Sequence, residues 1–129
     1  MRFDDRRTHI YFLGIDVGTG GLRALLMDVS GRVVASGTEQ HQPFASPHPG
    51  WAEQDPRDWW RAGGIAVKKA LRQSSVRAEE IACVGFSGQM HGAVLLDSAG
   101  EVVRPALICA TSAVKSNRAT SQKNLAPTA

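Results

Sequence analysis

Cysteine is scarce in this sequence, and long hydrophobic runs are missing from it. The 129 residues include only two cysteines, Cys83 and Cys109, and their spacing is not that of metal ligands. A cysteine-based zinc site is therefore excluded, and we expect Cys83, inside the apolar run IACVGF, to be buried in a protein from a reducing compartment. No segment reaches the length of a membrane span, and the first residues lack the apolar stretch of a secretory signal. We expect a cytoplasmic protein without a membrane partner.

The body of the sequence also lacks an excess of positive charge. The formal net charge is +3, with 15 basic and 12 acidic residues. Up to Cys109 there are 12 residues of each sign, so the whole excess lies in the tail, at Lys115, Arg118 and Lys123. Nucleic-acid binding needs a basic stripe with interleaved aromatic residues, and the sequence has none. No nucleic-acid partner is expected.

Apolar runs separated by short polar or glycine links predict an antiparallel β-meander near the start of the chain. The three runs occupy residues 10–16, 22–28 and 32–40. Because both faces of the second run are largely apolar, we expect this sheet to be covered on both sides. Further along, the runs IACVGFSG, AVLLD and EVVRPALI predict a fourth strand over residues 81–88 and a hairpin over residues 93–108.

The segment DPRDWW carries the signals of a helix start. Asp55 has the residue type of an N-cap, Pro56 suits the first helical position, and Asp58 lies in the positively polarised first turn. The helix is predicted to end near Gln73, and a glycine pair inside it to allow close packing on the sheet. The side predicted to face the sheet holds Trp60, Gly63, Gly64, Val67, Ala70 and Leu71. Strands, a helix and further strands together predict an α/β domain.

A single carboxylate, Asp16, ends the first apolar run and is followed by the glycine-rich stretch VGTGGLR. A phosphate needs backbone N–H groups aimed at it and no side chain in the way, and glycines at a tight turn provide both. The residues predicted to contact phosphates are Gly18, Thr19, Gly20, Gly21 and Arg23. The glycines would clear the approach, the threonine hydroxyl would donate a hydrogen bond, and the arginine would supply a cation. Asp16 would ligate Mg²⁺ or its water molecules.

Other phosphate-binding motifs do not fit this stretch. A dinucleotide fingerprint would need a third glycine at the position of Arg23 and a helix after it, and no GxxxxGK[ST] sequence occurs. The alternative to a phosphate site is a simple hairpin, in which the glycines make the turn and Asp16 caps it. Spacing alone does not decide between the two.

A second cluster of chemical interest, SGQMHG, follows the predicted fourth strand. Ligand sites of open α/β sheets collect at such strand ends. His91 is expected to hydrogen-bond a sugar hydroxyl and Met90 to form an adaptable apolar wall, with Gln89 beside them. The alternative is a histidine that is merely satisfied at a strand end. Ser87 is not a hydrolase nucleophile, because GFSGQ lacks the helix of a nucleophile elbow.

Four stretches in one order carry a family resemblance. GIDVGTGGLR, HPGWAEQDPRDWW, GFSGQMHGAVLLD and VVRPALI resemble the N-terminal part of the FGGY carbohydrate kinases, and SGQMHG resembles most closely the members that phosphorylate D-xylulose. The resemblance covers residues 11–108. It implies that residues 1–9 are an N-terminal extension, residues 10–108 a partial kinase domain, and residues 109–129 a non-homologous, disordered tail.

The resemblance implies a partial actin/hexokinase-like (ribonuclease H-like) ATPase fold with a mixed sheet, in which ATP, Mg²⁺ and the sugar meet in a cleft. Asp16 would be the catalytic carboxylate near the metal and the phosphates, and the glycine turn with Arg23 would line the phosphate side. The residues that bind D-xylulose would be Gln89, Met90 and His91. Serine or threonine is usual in the family where Gly20 stands, so the hydroxyl contact at that position is missing here.

The resemblance also implies what this stretch of sequence does not contain. The general base of the family is an aspartate in the second half of a longer protein, and no residue here corresponds to it. We therefore expect the N-terminal part of a sugar kinase that is inactive by itself, and a homodimer is one expectation for the intact protein. The alternatives are a kinase for another sugar or polyol, a non-catalytic module that binds sugar or nucleotide, and a truncated gene product.

Overall fold

The structure, a computed structural model, describes residues 10–108, which form a four-stranded sheet, a small second sheet and one long helix. In chain order the elements are β1 (Tyr11–Val17), β2 (Gly21–Asp28), β3 (Val33–Gln40), β4 (Glu53–Gln54), α1 (Pro56–Arg72), a 3₁₀ turn (Ala78–Glu80), β5 (Ile81–Gly88) and β6 (Ala106–Leu107). The extension predicted at residues 1–9 and the tail predicted at residues 109–129 lie outside the described residues. Within residues 10–108, no helix combines the length and the apolar character that crossing a bilayer demands.

The main sheet is mixed, with the strand order β3–β2–β1–β5. Strands β1, β2 and β3 pair antiparallel through short turns, whereas β5 pairs with β1 in parallel. A parallel neighbour requires a crossover connection, and helix α1 lies in that connection. The predicted meander, helix and fourth strand are therefore confirmed.

Helix α1 begins and ends where its sequence signals place it. The Asp55 carboxylate accepts a hydrogen bond of 2.9 Å from the Arg57 N–H, and Pro56 is the first helical residue. Asp58 lies in the first turn, where a negative charge is favourable. The last helical residue is Arg72, followed by Gln73 as the C-cap. The predicted boundaries are confirmed.

The helix face that packs on the sheet differs in part from the predicted one. Ala62, Ala66 and Ala70 are fully buried, whereas Trp60 is 87% exposed and Gly64 is also exposed. The alanines pack against the strand face formed by Leu22, Ala24 and Leu26, together with Leu13 and Ala35. Val67, Ala70 and Leu71 of the predicted face do pack against this core, so the prediction is confirmed for them. It was wrong for Trp60 and Gly64, because the packed face is centred on alanines, whose small side chains allow the helix to lie close to the sheet.

That short distance depends on Gly37 of strand β3. A Cβ atom at Gly37 would lie 2.1 Å from the carbonyl oxygen of Ala66, a separation that no real pair of atoms adopts. Within the helix, a Cβ at Gly63 would meet only the end of the Leu22 side chain at 3.3 Å, and one at Gly64 would meet nothing within 4 Å. Close packing therefore comes mainly from a glycine in the sheet rather than from the glycine pair in the helix.

Strand β5 is much more open than predicted. Helix α1 covers the face of β3, β2 and part of β1, and of β5 the first residue, Ile81, packs against this core, whereas the rest of the strand extends beyond it. Val84 and Phe86 are 45% and 75% exposed, although the register places them on the same face as Leu13 and Ile15. Cys83 is exposed as well, not buried. In the meander, α1 covers one face, but Phe12 and Arg23 on the other face are exposed, so within residues 10–108 the expected cover on both sides is not found.

The predicted hairpin of residues 93–108 is confirmed in its turn and its antiparallel pairing, but it does not consist of two continuous strands. The segment contains only the isolated bridges Ala93↔Leu107 and Leu96↔Val102, besides the two-residue strand β6. Strand β6 pairs instead with β4, a short strand that was not predicted. Pro105, which directly precedes β6, lacks an N–H group and so interrupts a continuous ladder.

The contact at Gly37 makes a stability prediction. We expect Gly37→Ala to lower the free energy of unfolding by about 2 kcal/mol or more, because the added methyl group must push α1 away from the sheet. Gly14→Ala in β1 is the matched control, since its Cβ would meet nothing within 4 Å. Urea unfolding followed by circular dichroism measures both variants. Equal midpoints for the two would contradict the close approach.

Candidate functional site

The parallel pairing of β1 and β5 brings Asp16 beside Ser87, although 71 residues separate them in sequence. The Ser87 hydroxyl donates a hydrogen bond of 2.6 Å to Oδ1 of Asp16. The carboxylate is exposed, so its second oxygen can still meet a ligand. Sequence reasoning considered Ser87 only as a nucleophile and missed this role, which a parallel register for the two strands would have indicated.

Arg23 shares the exposed face of the sheet with this pair. It is the direct cross-strand partner of Asp16 in the β1–β2 ladder, and such partners project from the same side of a sheet. The Arg23 side chain is exposed, as is that of Asp16. A cation and a carboxylate therefore stand next to each other on the face opposite α1.

The glycine-rich stretch after Asp16 forms the turn between β1 and β2. The Gly18 N–H donates to the Gly21 carbonyl at 3.0 Å, with Thr19 and Gly20 at the tip. A Cβ at Gly21 would lie 2.7 Å from the Glu39 carbonyl oxygen, whereas one at Gly20 would meet nothing within 4 Å. The turn is thus a tight hairpin, as the alternative interpretation required, and this geometry is equally compatible with phosphate binding.

Two buried side chains that sequence reasoning missed hold this turn from behind. The Gly18 carbonyl accepts from His41 Nε2 at 3.0 Å, and the Thr19 carbonyl accepts from Gln54 Nε2 at 2.9 Å. The backbone N–H of His41 donates to the third carbonyl, that of Gly20, at 3.2 Å. His41 lies in the loop after β3 and Gln54 in β4, and no motif in either segment indicated the contact.

Gln89 connects the turn to the second motif. Its backbone N–H donates to the Val17 carbonyl at 2.9 Å, and its side-chain oxygen lies 3.4 Å from the Thr19 hydroxyl, which donates to it. The side-chain nitrogen of Gln89 is buried and has no hydrogen-bond partner within residues 10–108. A buried donor without a partner is unusual and is available to a ligand.

Met90 and His91 follow at the end of β5 in an exposed bend. Met90 is 74% exposed, and His91 adopts a left-handed backbone with φ of 64°. Residues other than glycine seldom adopt this conformation, and the strain it carries is found most often at binding and catalytic sites. The structure brings Gln89 to the glycine turn. Met90 and His91 follow it along the chain, and the structure does not join them to Asp16 by a hydrogen bond.

The side chains of the candidate site can be compared with those that bind Mg²⁺ in proteins. Among the described residues there is no group of three or more histidine, cysteine, aspartate or glutamate side chains that would hold a metal by itself. Mg²⁺ bound to a nucleotide needs fewer protein ligands, because one or two carboxylates complete a shell of water and phosphate oxygens. Asp16, exposed and oriented by Ser87, fits that requirement.

A comparison with known proteins identifies the family. The sequence profile of the N-terminal domain of the FGGY family of carbohydrate kinases matches residues 11–125. This chain belongs to the FGGY family. The predicted resemblance to the N-terminal part of the FGGY carbohydrate kinases is confirmed.

Relatives within the FGGY family are similar over most of this chain. It is 45% identical to the xylulose kinase of Klebsiella pneumoniae over 97 residues, which are 75% of this chain and 20% of that protein. It is 39% identical to a glycerol kinase of Beutenbergia cavernae over 99 residues, 76% of this chain and 19% of that protein. The FGGY chain described here thus spans about a fifth of the length of these relatives.

Solved structures of FGGY kinases confirm the fold class. A xyloylose kinase from Brucella ovis matches with a TM-score of 0.71 and 39% identity, over 75% of this chain and 20% of that one. These neighbours have the actin/hexokinase-like fold, and the mixed sheet with α1 is a part of it. The roles predicted for individual site residues stay predictions.

Gly20 and Gly21, which are adjacent in the turn, give a matched pair of variants. We expect Gly21→Ser to destabilise the protein clearly, because its Cβ would collide with the Glu39 carbonyl in β3. Gly20→Ser should change the free energy of unfolding by no more than about 0.5 kcal/mol, since its Cβ enters open space. Thermal unfolding measures both. A destabilised Gly20→Ser with an unchanged Gly21→Ser would show that the turn has a different geometry.

Proposed function

We propose that this chain is the part of a xylulose kinase that holds the phosphates of ATP beside the ketose. The observation that carries the proposal is the hydrogen bond of 2.6 Å from Ser87 to Asp16, because it joins the strand before the glycine turn to the strand that leads into SGQMHG. The similarity to xylulose kinases supports the substrate class. In the intact protein, the γ-phosphate of ATP would be transferred to a hydroxyl of D-xylulose, giving D-xylulose 5-phosphate.

On the phosphate side, Asp16 would bind Mg²⁺ or its water molecules through the oxygen that Ser87 leaves open. The ion, when bound with ATP, neutralises the negative charge that builds up on the phosphates. Arg23 would add a second positive charge from the neighbouring strand. The turn from Gly18 to Gly21 would approach the phosphate oxygens closely, since no side chain stands at three of its four positions.

On the sugar side, the residues after β5 supply the contacts. His91 would exchange hydrogen bonds with a sugar hydroxyl, and Met90 would pack against the carbon chain. The buried nitrogen of Gln89, which has no partner in the described part of the chain, would donate to the ketose or to the phosphate being transferred. Gln89 also hydrogen-bonds Thr19, so the two halves of the site would be aligned by one side chain.

The two halves of the proposed site can be separated by titration calorimetry. We expect Asp16→Asn to weaken binding of MgATP roughly tenfold or more while leaving binding of D-xylulose unchanged, because a charged contact is lost only on the phosphate side. His91→Ala should do the reverse, weakening D-xylulose binding about tenfold. Circular dichroism would verify that both variants fold.

Matched controls accompany these variants. Glu79→Gln removes an exposed carboxylate outside the proposed site, and His48→Ala removes an exposed histidine whose ring meets that of Trp51 edge to face. Neither should change the affinity for either ligand. If folded Asp16→Asn binds MgATP as the unaltered chain does, the phosphate-side assignment is wrong. If folded His91→Ala keeps full affinity for D-xylulose, the sugar-side assignment is wrong.

We further propose that the 129-residue chain alone does not turn over. The family places its general base in a part of the protein that corresponds to no residue of this sequence, so the sugar hydroxyl would lack a proton acceptor. A coupled ADP-release assay with D-xylulose should give no rate above background. Turnover at ordinary kinase rates, roughly 1–100 s⁻¹, would refute this proposal.

A second candidate is a kinase for another sugar or polyol. The 39% identity to a glycerol kinase supports this second candidate. Titration of D-xylulose, glycerol and other polyols into the same chain distinguishes the two, because only binding of the true substrate class should depend on His91.

The proposed function also includes where the protein acts and how it assembles. We propose a cytoplasmic location, where ATP is available, and a homodimer of the intact protein.

A further inference from the structure

Three consecutive carbonyl groups of the glycine turn accept hydrogen bonds from residues that lie behind the turn. The Gly18, Thr19 and Gly20 carbonyls accept hydrogen bonds from His41 Nε2, Gln54 Nε2 and the His41 backbone N–H, respectively. His41 and Gln54 are only 8% and 6% exposed, so these bonds form behind the turn and not at its surface.

Fixing a carbonyl also fixes the N–H group of the next residue. In a trans peptide unit the two groups point in opposite directions, and there is no cis peptide among the described residues. The N–H groups of Thr19 and Gly20 therefore point away from the His41 and Gln54 side chains that bind the preceding carbonyls. The Gly21 N–H points away from the His41 backbone N–H, which binds the Gly20 carbonyl. A phosphate oxygen is attracted by N–H groups and repelled by carbonyl oxygens, so this orientation favours an anion.

We propose that His41 and Gln54 are positioning residues for the phosphates, which act by holding the carbonyls of the turn away from the bound nucleotide. This inference rests on the proposed function and extends it to two side chains outside the family-like glycine motif. Neither residue would touch the nucleotide. The effect of their side chains would be to present the backbone N–H groups of Thr19 and Gly20 without any rearrangement on binding.

Each positioning side chain is itself held from its other end. Trp59 Nε1 donates to Gln54 Oε1 at 2.9 Å, which fixes the amide so that its nitrogen faces Thr19. The Gly18 carbonyl can only accept, so His41 must carry its proton on Nε2. His41 Nδ1 is buried, has no hydrogen-bond partner among the residues that the structure describes, and lies 3.9 Å from Oδ2 of Asp58.

Asp58 is an ionised neighbour of this histidine. Burial acts to raise the pKa of Asp58, but hydrogen bonds from the Gln42 N–H and the Arg61 guanidinium outweigh it and leave the pKa below its usual value. The Asp58 carboxylate accepts from Gln42 at 2.6 Å and from Arg61 at 2.7 Å. The start of helix α1 is thus tied to the residue next to His41, which keeps the imidazole at the turn.

The test uses the full 129-residue chain with MgATP and D-xylulose as probes. His41→Phe keeps a ring but removes the donor, and Gln54→Met keeps the length but removes the amide. We expect each to weaken MgATP binding about three- to tenfold, as loss of one hydrogen bond does, and to leave D-xylulose binding unchanged. His41→Gln, which restores a donor, should recover most of the loss. His48→Phe, at an exposed histidine, should have no effect.

Nuclear magnetic resonance supplies a readout that does not depend on nucleotide. Long-range ¹H–¹⁵N correlation should show His41 as the Nε2–H tautomer, and the amide signals of Thr19, Gly20 and Gly21 should shift in both variants. The Nδ1–H tautomer would overturn the proposal.

The outcomes separate this inference from the proposed function. If the unaltered chain does not bind MgATP, both are overturned. If it binds and the folded variants bind equally well, only the positioning role is overturned. A loss of affinity for MgATP and D-xylulose alike would indicate general damage to the fold and would also overturn it. If His41→Phe does not fold, Gln54→Met decides by the same criteria.

Discussion

The parallel pairing of β5 with β1 is the constraint on which the candidate site depends. It places the end of the Asp16 strand beside the end of the strand that leads into SGQMHG, and it lets Ser87 hydrogen-bond Asp16. Parallel strands cannot be joined by a tight turn, so the pairing requires the crossover through α1. The helix can return close enough only because its alanine face meets Gly37 in β3. One close contact between helix and sheet thus supports a site on the opposite face.

Much of this could be read from the sequence because the signals were local. Alternating and continuous apolar runs gave β1, β2, β3 and β5, and the sequence around Asp55 gave both the start and the cap of α1. The glycine turn and the strand end at Gln89 were also recognised, and the structure brings them together through the Thr19–Gln89 contact. These features depend on residues near one another in sequence, where backbone sterics and capping decide the conformation.

The features that were missed depend on distant parts of the chain. The packing face of α1 was predicted only in part, because the helical wheel ranks residues by hydrophobicity, whereas the close approach of the helix at Gly37 favours small side chains. Strand β4 has only two residues and is defined by its pairing with β6, so its sequence is too short to show an alternation of apolar and polar residues. His41 and Gln54 carry no periodic signal, and their contacts with the turn span 23 and 35 residues. Ser87 was considered as a nucleophile, whereas its role in the structure is to hydrogen-bond Asp16 on the neighbouring strand.

The empty space at Gly20 has a consequence for how this protein can change over generations. Its neighbours in the turn are confined by backbone atoms, but a side chain at Gly20 would meet nothing within 4 Å. A single codon change there would therefore add a functional group at the tip of the turn without a folding penalty. The side chain at this position can therefore vary independently of structural integrity, a freedom that Gly21 does not have.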